Sequence, residues 1–299
     1  MGAIHINPKF EILAVITQPD KPSGRSQKLM PTPIKTFAES LGLSVMTPSE
    51  IKNNKELENF AKKLSPDFTI TVSYGQIIPK SILEIPKIAS INIHGSLLPK
   101  YRGASPIQTA LLNGDKETGI TMMEMNEKMD GGDIFLLKRI PIENEDDFNS
   151  LSKKLSMLAG EITPHALIDI AEESLKKIEQ DNSRATYSKK IEKEDGEINC
   201  KKMTAEEALR RVKAFSVWPE CYIKWNGKTL KILKAAMNEN TAEMQAGTMT
   251  LIDKNTLAIA CKKELLIPMI VQLEGKKTTP VKEFINGYRG EILKHPTVE

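Results

Sequence analysis

The stretch S-I-N-I-H-G-S-L-L-P-K-Y-R-G, residues 90–103, decides how the rest of the chain is read. The β-branched Ile88 and Ile91 lead into it, so it begins as a buried strand, and that strand ends by Gly95, because Pro99 has no amide N–H to give a ladder. Strand side chains alternate between faces, so Asn92 and His94 emerge side by side at its end. An amide N–H and a ring N–H so placed can both donate to an oxygen that gains negative charge as a nucleophile adds to its carbonyl carbon, and an imidazole can also carry a proton. A histidine at a strand end is commonly a structural residue satisfied by its neighbours. Context sets this one apart. It is one of four histidines and is followed by Ser96, Leu97, Leu98, Pro99 and Tyr101-Arg102-Gly103. Farther on stands Met129-Asp130-Gly131-Gly132-Asp133, where carboxylates adjoin glycines that let backbone approach a ligand closely.

A chain of 299 residues has room for two domains, and 40% hydrophobic with 27% charged residues is the composition of a globular protein. The apolar run at 265–271 is too short to span a bilayer, and no basic start leads into an apolar h-region. Ile6 stands where a myristoylation signal after Met1-Gly2 needs Ser or Thr. Cys200, Cys221 and Cys261 are odd in number and far apart, which argues against a disulfide framework and against a zinc site, and points to a reduced, cytoplasmic setting. Charge is uneven: from residue 201 onward there are 17 Lys and Arg against 11 Asp and Glu, leaving the first 200 residues with 25 against 28. A basic C-terminal part is either an ordinary solvated surface or a nucleic-acid footprint.

Taken together, N-x-H-x-S-L-L-P-x-Y-R-G at 92–103 and D-x-G-D at 130–133 resemble the folate-dependent formyltransferases, in particular the branch whose acceptor is initiator methionyl-tRNA. That resemblance implies an α/β, Rossmann-like catalytic domain with a mostly parallel sheet, followed by a small C-terminal β-barrel of oligonucleotide-binding type. It places the catalytic domain at 1–188, a linker at 189–203 and a tRNA-binding barrel at 204–299. It also implies transfer of a formyl group from 10-formyltetrahydrofolate, as co-substrate and without a metal, to the methionine α-amino group. In that scheme Asn92 and His94 hold the oxyanion, Asp130 orients His94 and assists proton removal, and Asp133 shapes the loop. Ser96, Leu97, Leu98 and Pro99, with Tyr74 and Gly75, line the folate site. A monomer with no membrane partner is expected. The readings kept beside it are transfer to a small-molecule amine, a folate-dependent hydrolase, and an inactive folate- or tRNA-binding remnant.

Along the chain, residues 10–17 read as a buried strand. The resemblance implies a central strand and a G-T-P-x-F turn ahead of it, with residues 1–10 as the tail of the first helix. Neither feature is present, so the expectation is a truncated form whose sheet has a groove and open edges. Residues 18–29 read as a loop without apolar periodicity, of a length that is usually functional or disordered. They resemble the inserted loop that enters a tRNA acceptor stem, which implies that Arg25 reaches the nucleic acid and that Lys21 and Lys28 sit on phosphates. Ser26 and Gln27 stand where the family often has Gly and Lys. Helices are expected over 33–41, 49–64 and 106–113, and strands over 43–46, 68–72 and 119–125. A long helix is expected over 151–177, with Pro164 restarting or kinking it. Residues 180–202 read as a polar linker with no sustained apolar face. Thr204-Ala205-Glu206-Glu207 is a capping box, and Asn226-Gly227 is a two-residue hairpin signal amid short strands. The 217–219 Val-Trp-Pro run and the basic excess fit the same resemblance.

Overall fold

A computed structural model describes residues 1–23, 27–239 and 244–298. The chain divides into two compact units, one of Met1–Gly103, Gly119–Arg139 and Leu155–Tyr187, the other of Ala104–Thr118, Ile140–Lys154 and Ser188–Glu299.

In the first unit the strands form two pieces. Strand β1 (Val15–Ile16) pairs in parallel with β4 (Val45–Met46), and a separate sheet runs in the order β5 (Phe68–Thr71), β6 (Ala89–His94), β8 (Glu117–Glu124), β9 (Ile134–Pro141). The β5 to β6 pairing is parallel and the β6 to β8 pairing antiparallel. Central β6 is the most buried strand of this unit, as its apolar run requires. The strand expected over 10–17 is paired only at Val15–Ile16, and its apolar residues 12–16 are half-buried rather than buried, because β1 has one neighbour instead of two. Its exit nevertheless meets the exit of β5: Gln18 Nε2 donates to the Tyr74 carbonyl at 3.0 Å.

The helix expected at the start is α1 (Gly2–His5). The stretch read as a loop at 18–29 is in part a hairpin, β2 (Lys21–Ser23) against β3 (Lys28–Met30). These strands are three residues long and β3 is exposed throughout, so no alternation marked them. Helix α2 is Pro33–Ser40, capped by Thr32. Helix α3 (Lys55–Leu64) starts later than expected because the Asn54 side chain accepts from Leu57 N and caps it there. A short α4 (Lys80–Leu83) follows. Helix α5 (Pro106–Asn113) ends at Gly114 as expected. Helix α6 (Phe148–Ala171) runs through Pro164 without a break and stops short of residue 177. Burial of Leu151, Leu155, Ala166, Leu167 and Ile170 along it outweighs the one hydrogen bond that proline removes.

The polar stretch from 180 onward is tied down rather than loose. Within it β10 (Tyr187–Ser188) pairs with β7 (Arg102–Gly103), and Gln180, Ile191, Ile198 and Cys200 are buried. In the second unit, α7 (Ala205–Ala214) opens with both reciprocal bonds of the Thr204/Glu207 capping box. A six-stranded sheet follows in the order β11 (Cys221–Trp225), β12 (Lys228–Asn238), β15 (Leu265–Leu273), β14 (Leu257–Ala260), β13 (Met249–Leu251), with β16 (Thr279–Pro280) beside β15. Asn226 and Gly227 turn the first hairpin with φ of 48° and 69°, as the sequence signal requires. After α8 (Val281–Lys294), the tail bridges the two outer strands of the sheet. Val298 pairs with Trp225 of β11, and Thr297 pairs with Thr248 just before β13. Trp225 anchors this closure, donating from Nε1 to the His295 carbonyl at 2.9 Å and meeting Phe284 edge-on.

Candidate active site

Parallel pairing with β5 and antiparallel pairing with β8 fix β6 on both sides, so Asn92 and His94 leave its carboxyl end on one face. The structure brings Asp130 to them. Asn92 Nδ2 donates to Asp130 Oδ1 at 3.1 Å, the Gly103 N–H donates to Asp130 Oδ2 at 2.7 Å, and His94 Nδ1 lies 3.7 Å from that same Oδ2. His94 is 6% exposed. Its other nitrogen, Nε2, is 2.9 Å from the Tyr101 carbonyl. A carbonyl can only accept, so Nε2 carries the ring proton and Nδ1 is the nitrogen turned to the carboxylate. The ring N–H expected at an oxyanion is therefore committed to Tyr101; what the arrangement leaves is an Nδ1 able to take up a proton and, on Asn92, a second amide proton able to be donated.

Two loops hold these groups. The 95–103 loop is fastened from within. Thr121 Oγ1 donates to the Ser96 carbonyl at 2.6 Å and accepts from Leu98 N at 3.1 Å, and Ser96 Oγ donates to the Lys100 carbonyl at 2.5 Å. Backbone bonds from Thr186 N to the Pro99 carbonyl and from Arg102 N to the Thr186 carbonyl tie it to the segment before β10. The Asp130 loop turns with φ of 48° at Asp130 itself. Gly132 is required two residues later, where a Cβ would sit 1.8 Å from the Glu124 carbonyl oxygen.

The residues expected at a folate fall into two sets. Ser96 and Leu98 are interior, so they shape the loop from inside, while Leu97 and Pro99 are half-buried. Tyr74 packs its ring against the Ile51, Leu57 and Ile82 cluster, and its buried hydroxyl has no hydrogen-bond partner among the described residues. Desolvation raises the pKa of that hydroxyl. Gly75 is exposed, with φ of 81°. Lys21 and Lys28 stand exposed on the β2–β3 hairpin, whereas Arg25 lies outside the described residues.

Sequence reasoning did not anticipate the Tyr101 carbonyl and Gly103 N–H, which lie within the motif, or Gln180 and Asn182, which lie in what read as a linker. Gln180 Oε1 accepts from Arg102 at 2.7 Å, and Asn182 Oδ1 accepts from Arg102 at 2.9 Å. No pattern of apolar residues marks these two positions. Among the described residues no helix is long and apolar enough to cross a membrane.

Residues 3–167 match the formyl transferase family and residues 190–289 match the formyl transferase C-terminal domain. A methionyl-tRNA formyltransferase of Caldicellulosiruptor saccharolyticus is 41% identical over 96% of this chain and 93% of that protein. One of Dictyoglomus thermophilum is 40% identical over 96% of this chain and 92% of that protein. Among solved structures, WlaRD, a sugar 3N-formyltransferase crystallised in the presence of dTDP and 5-N-formyl-THF, superposes with a TM-score of 0.61 at 22% identity, covering 88% of each chain. HypX from Aquifex aeolicus, in complex with tetrahydrofolic acid, gives 0.62 at 17% identity over 92% of this chain, which spans about half (47%) of HypX. At these identities the structures speak for the fold alone. With both domain families matched in order along one chain, and full-length relatives at about 40% identity, this protein belongs to the formyl transferase family.

Proposed function

We propose that this protein formylates the α-amino group of methionine on initiator methionyl-tRNA, with 10-formyltetrahydrofolate as the donor. The observation that carries the reading is the convergence of Asn92, His94 and Asp130 at the carboxyl end of β6, in a chain about 40% identical to methionyl-tRNA formyltransferases. The residues around that cluster fit a folate. The turn after β5, exposed at Gly75, offers backbone groups to the amide-like edge of a pterin, and Leu97 and Pro99 offer apolar surface.

When bound, the folate supplies an activated formyl group and a nitrogen leaving group. The chain's own residues do the rest. Asn92, fixed by its bond to Asp130, donates its second amide proton to the oxygen that becomes negative as the amine adds. Nδ1 of His94 takes the proton released from the amine and returns it to the folate nitrogen as that nitrogen's bond to the formyl carbon breaks, and the Asp130 carboxylate beside it balances the positive charge carried in between. The Tyr101 carbonyl keeps the ring in the tautomer that leaves Nδ1 available. The exposed lysines of the β2–β3 hairpin, Lys21 and Lys28, and the basic C-terminal part, 17 Lys and Arg against 11 Asp and Glu, supply contacts for a tRNA backbone, and the reading assigns Arg25 to the same role. On this reading the protein works in the cytoplasm as a monomer.

The test is incubation of the purified protein with 10-formyltetrahydrofolate and methionyl initiator tRNA, alongside nucleotide-linked amino sugars. Formylmethionyl-tRNA as the dominant product supports the reading. Formylation of the amino sugar with the tRNA left untouched overturns it in favour of a small-molecule acceptor.

A further inference from the structure

Gln180 is buried, 5% exposed, in a segment whose sequence is polar and has no apolar face. Every polar atom of its amide is engaged. Nε2 donates to the Asp130 carbonyl at 2.9 Å and to the Gly132 carbonyl at 2.6 Å, and Oε1 accepts from Arg102 Nε at 3.2 Å and from its terminal nitrogen at 2.7 Å. Both carbonyls belong to the turn in which Asp130 adopts a φ of 48°, a left-handed conformation that a non-glycine residue holds only when its surroundings impose it. The segment is itself pinned beside that loop, since Ile178 and Ile134 exchange both backbone bonds, at 2.9 Å and 2.8 Å.

We propose that Gln180 is a positioning residue for the reaction. By holding the carbonyls of Asp130 and Gly132, it fixes the left-handed turn that sets one carboxylate oxygen on Asn92 and the other on the Gly103 N–H, facing His94 Nδ1. Arg102 is the other half of the device. Its guanidinium fixes the side-chain oxygen of Gln180 and so forces the amide NH₂ toward the loop. The arrangement is specific to an amide: a glutamate would still accept from Arg102 but would present a second acceptor to two carbonyls. This inference rests on Asn92, His94 and Asp130 being the reacting groups.

The experiment compares Gln180→Glu, Gln180→Met and Asn182→Ala in the full chain. Gln180→Met removes the donors without burying a charge, and Asn182→Ala removes another partner of Arg102 while leaving the clamp on the loop. The expected result is a fall in kcat of roughly 100-fold for both Gln180 variants with KM for folate and tRNA within about twofold of the parent, and a change of less than about threefold for Asn182→Ala. In parallel, ring ¹⁵N spectra of histidine-labelled protein should show the His94 signals displaced in both Gln180 variants, with the other three histidines unmoved. Unchanged kcat in folded Gln180 variants, a rise in KM at constant kcat, or unmoved His94 signals would overturn the proposal. A parent protein that formylates no tRNA would defeat the functional reading instead, and the histidine spectra would still test the clamp.

Discussion

At the scale of single residues, the proposed reaction puts proton transfer on His94, charge balance on Asp130 and oxyanion stabilisation on Asn92. Asn92→Ala removes the amide that donates to Asp130 and, in the proposed reaction, to the oxyanion. Turnover is expected to fall by roughly 100 to 1,000-fold while folate affinity stays within a few-fold, checked by steady-state kinetics beside equilibrium titration. A fall in affinity with turnover preserved would make Asn92 a binding residue. The pairing of Asn92 with His94 was legible in sequence because strand parity alone dictates it. The arrival of Asp130 was legible only through the resemblance, since 38 residues separate it from Asn92. What sequence did not reveal is the use of His94 Nε2. That nitrogen is claimed by a backbone carbonyl seven residues on, and a carbonyl leaves no trace in residue type.

At the scale of elements, the Asp130 loop is held by close approach. Gly132→Ala would push a methyl group into the Glu124 carbonyl, a clash relieved only by moving the loop or the end of β8. Turnover should drop by about 100-fold or more, measured on protein whose circular dichroism matches the parent. Parental turnover would mean that the loop geometry does not matter to the chemistry. A second element has its own pH signature. Asp146, 4% exposed before α6, loses solvation, which alone would raise its pKa. Hydrogen bonds from Lys154, Ser150 and the Glu143 N–H outweigh this and hold its carboxyl below the ordinary 3.8. A depressed carboxylate stabilises fully above its unfolded value, and that contribution is lost as pH falls below 3.8 toward the folded value. Asp146→Asn should therefore cost about 2 kcal/mol in urea unfolding at pH 7, and the difference from the parent should shrink below pH 4. A constant difference across that range would contradict this assignment. Capping and turn chemistry made α7 and the Asn226-Gly227 hairpin legible, because each depends on a few adjacent residues. The β2–β3 hairpin and the unbroken α6 were not, because one is too short to show a period and the other is settled by burial around Pro164.

At the scale of the whole molecule, the sequence anticipated an α/β half and a small antiparallel barrel-like half, and both are present. The strands of the α/β half stand in two pieces, β1 with β4 and β5 with β6, β8 and β9. The part played by the tail, which bridges the outer strands of the C-terminal sheet, was not legible, because Thr297 and Val298 each contribute a single bridge instead of a strand. The charge asymmetry leads to a prediction about tRNA. Log kcat/KM for methionyl-tRNA should fall linearly with log salt, and Lys21→Ala and Lys28→Ala should each lessen the slope by about one. A salt-independent rate would remove the basic surface from recognition.

The most direct test of the central claim is single-turnover formylation of methionyl initiator tRNA by His94→Ala, with both substrates saturating. The account predicts a rate lower by roughly 100 to 1,000-fold with folate and tRNA still bound. A rate near that of the parent would show that the chemistry does not pass through His94.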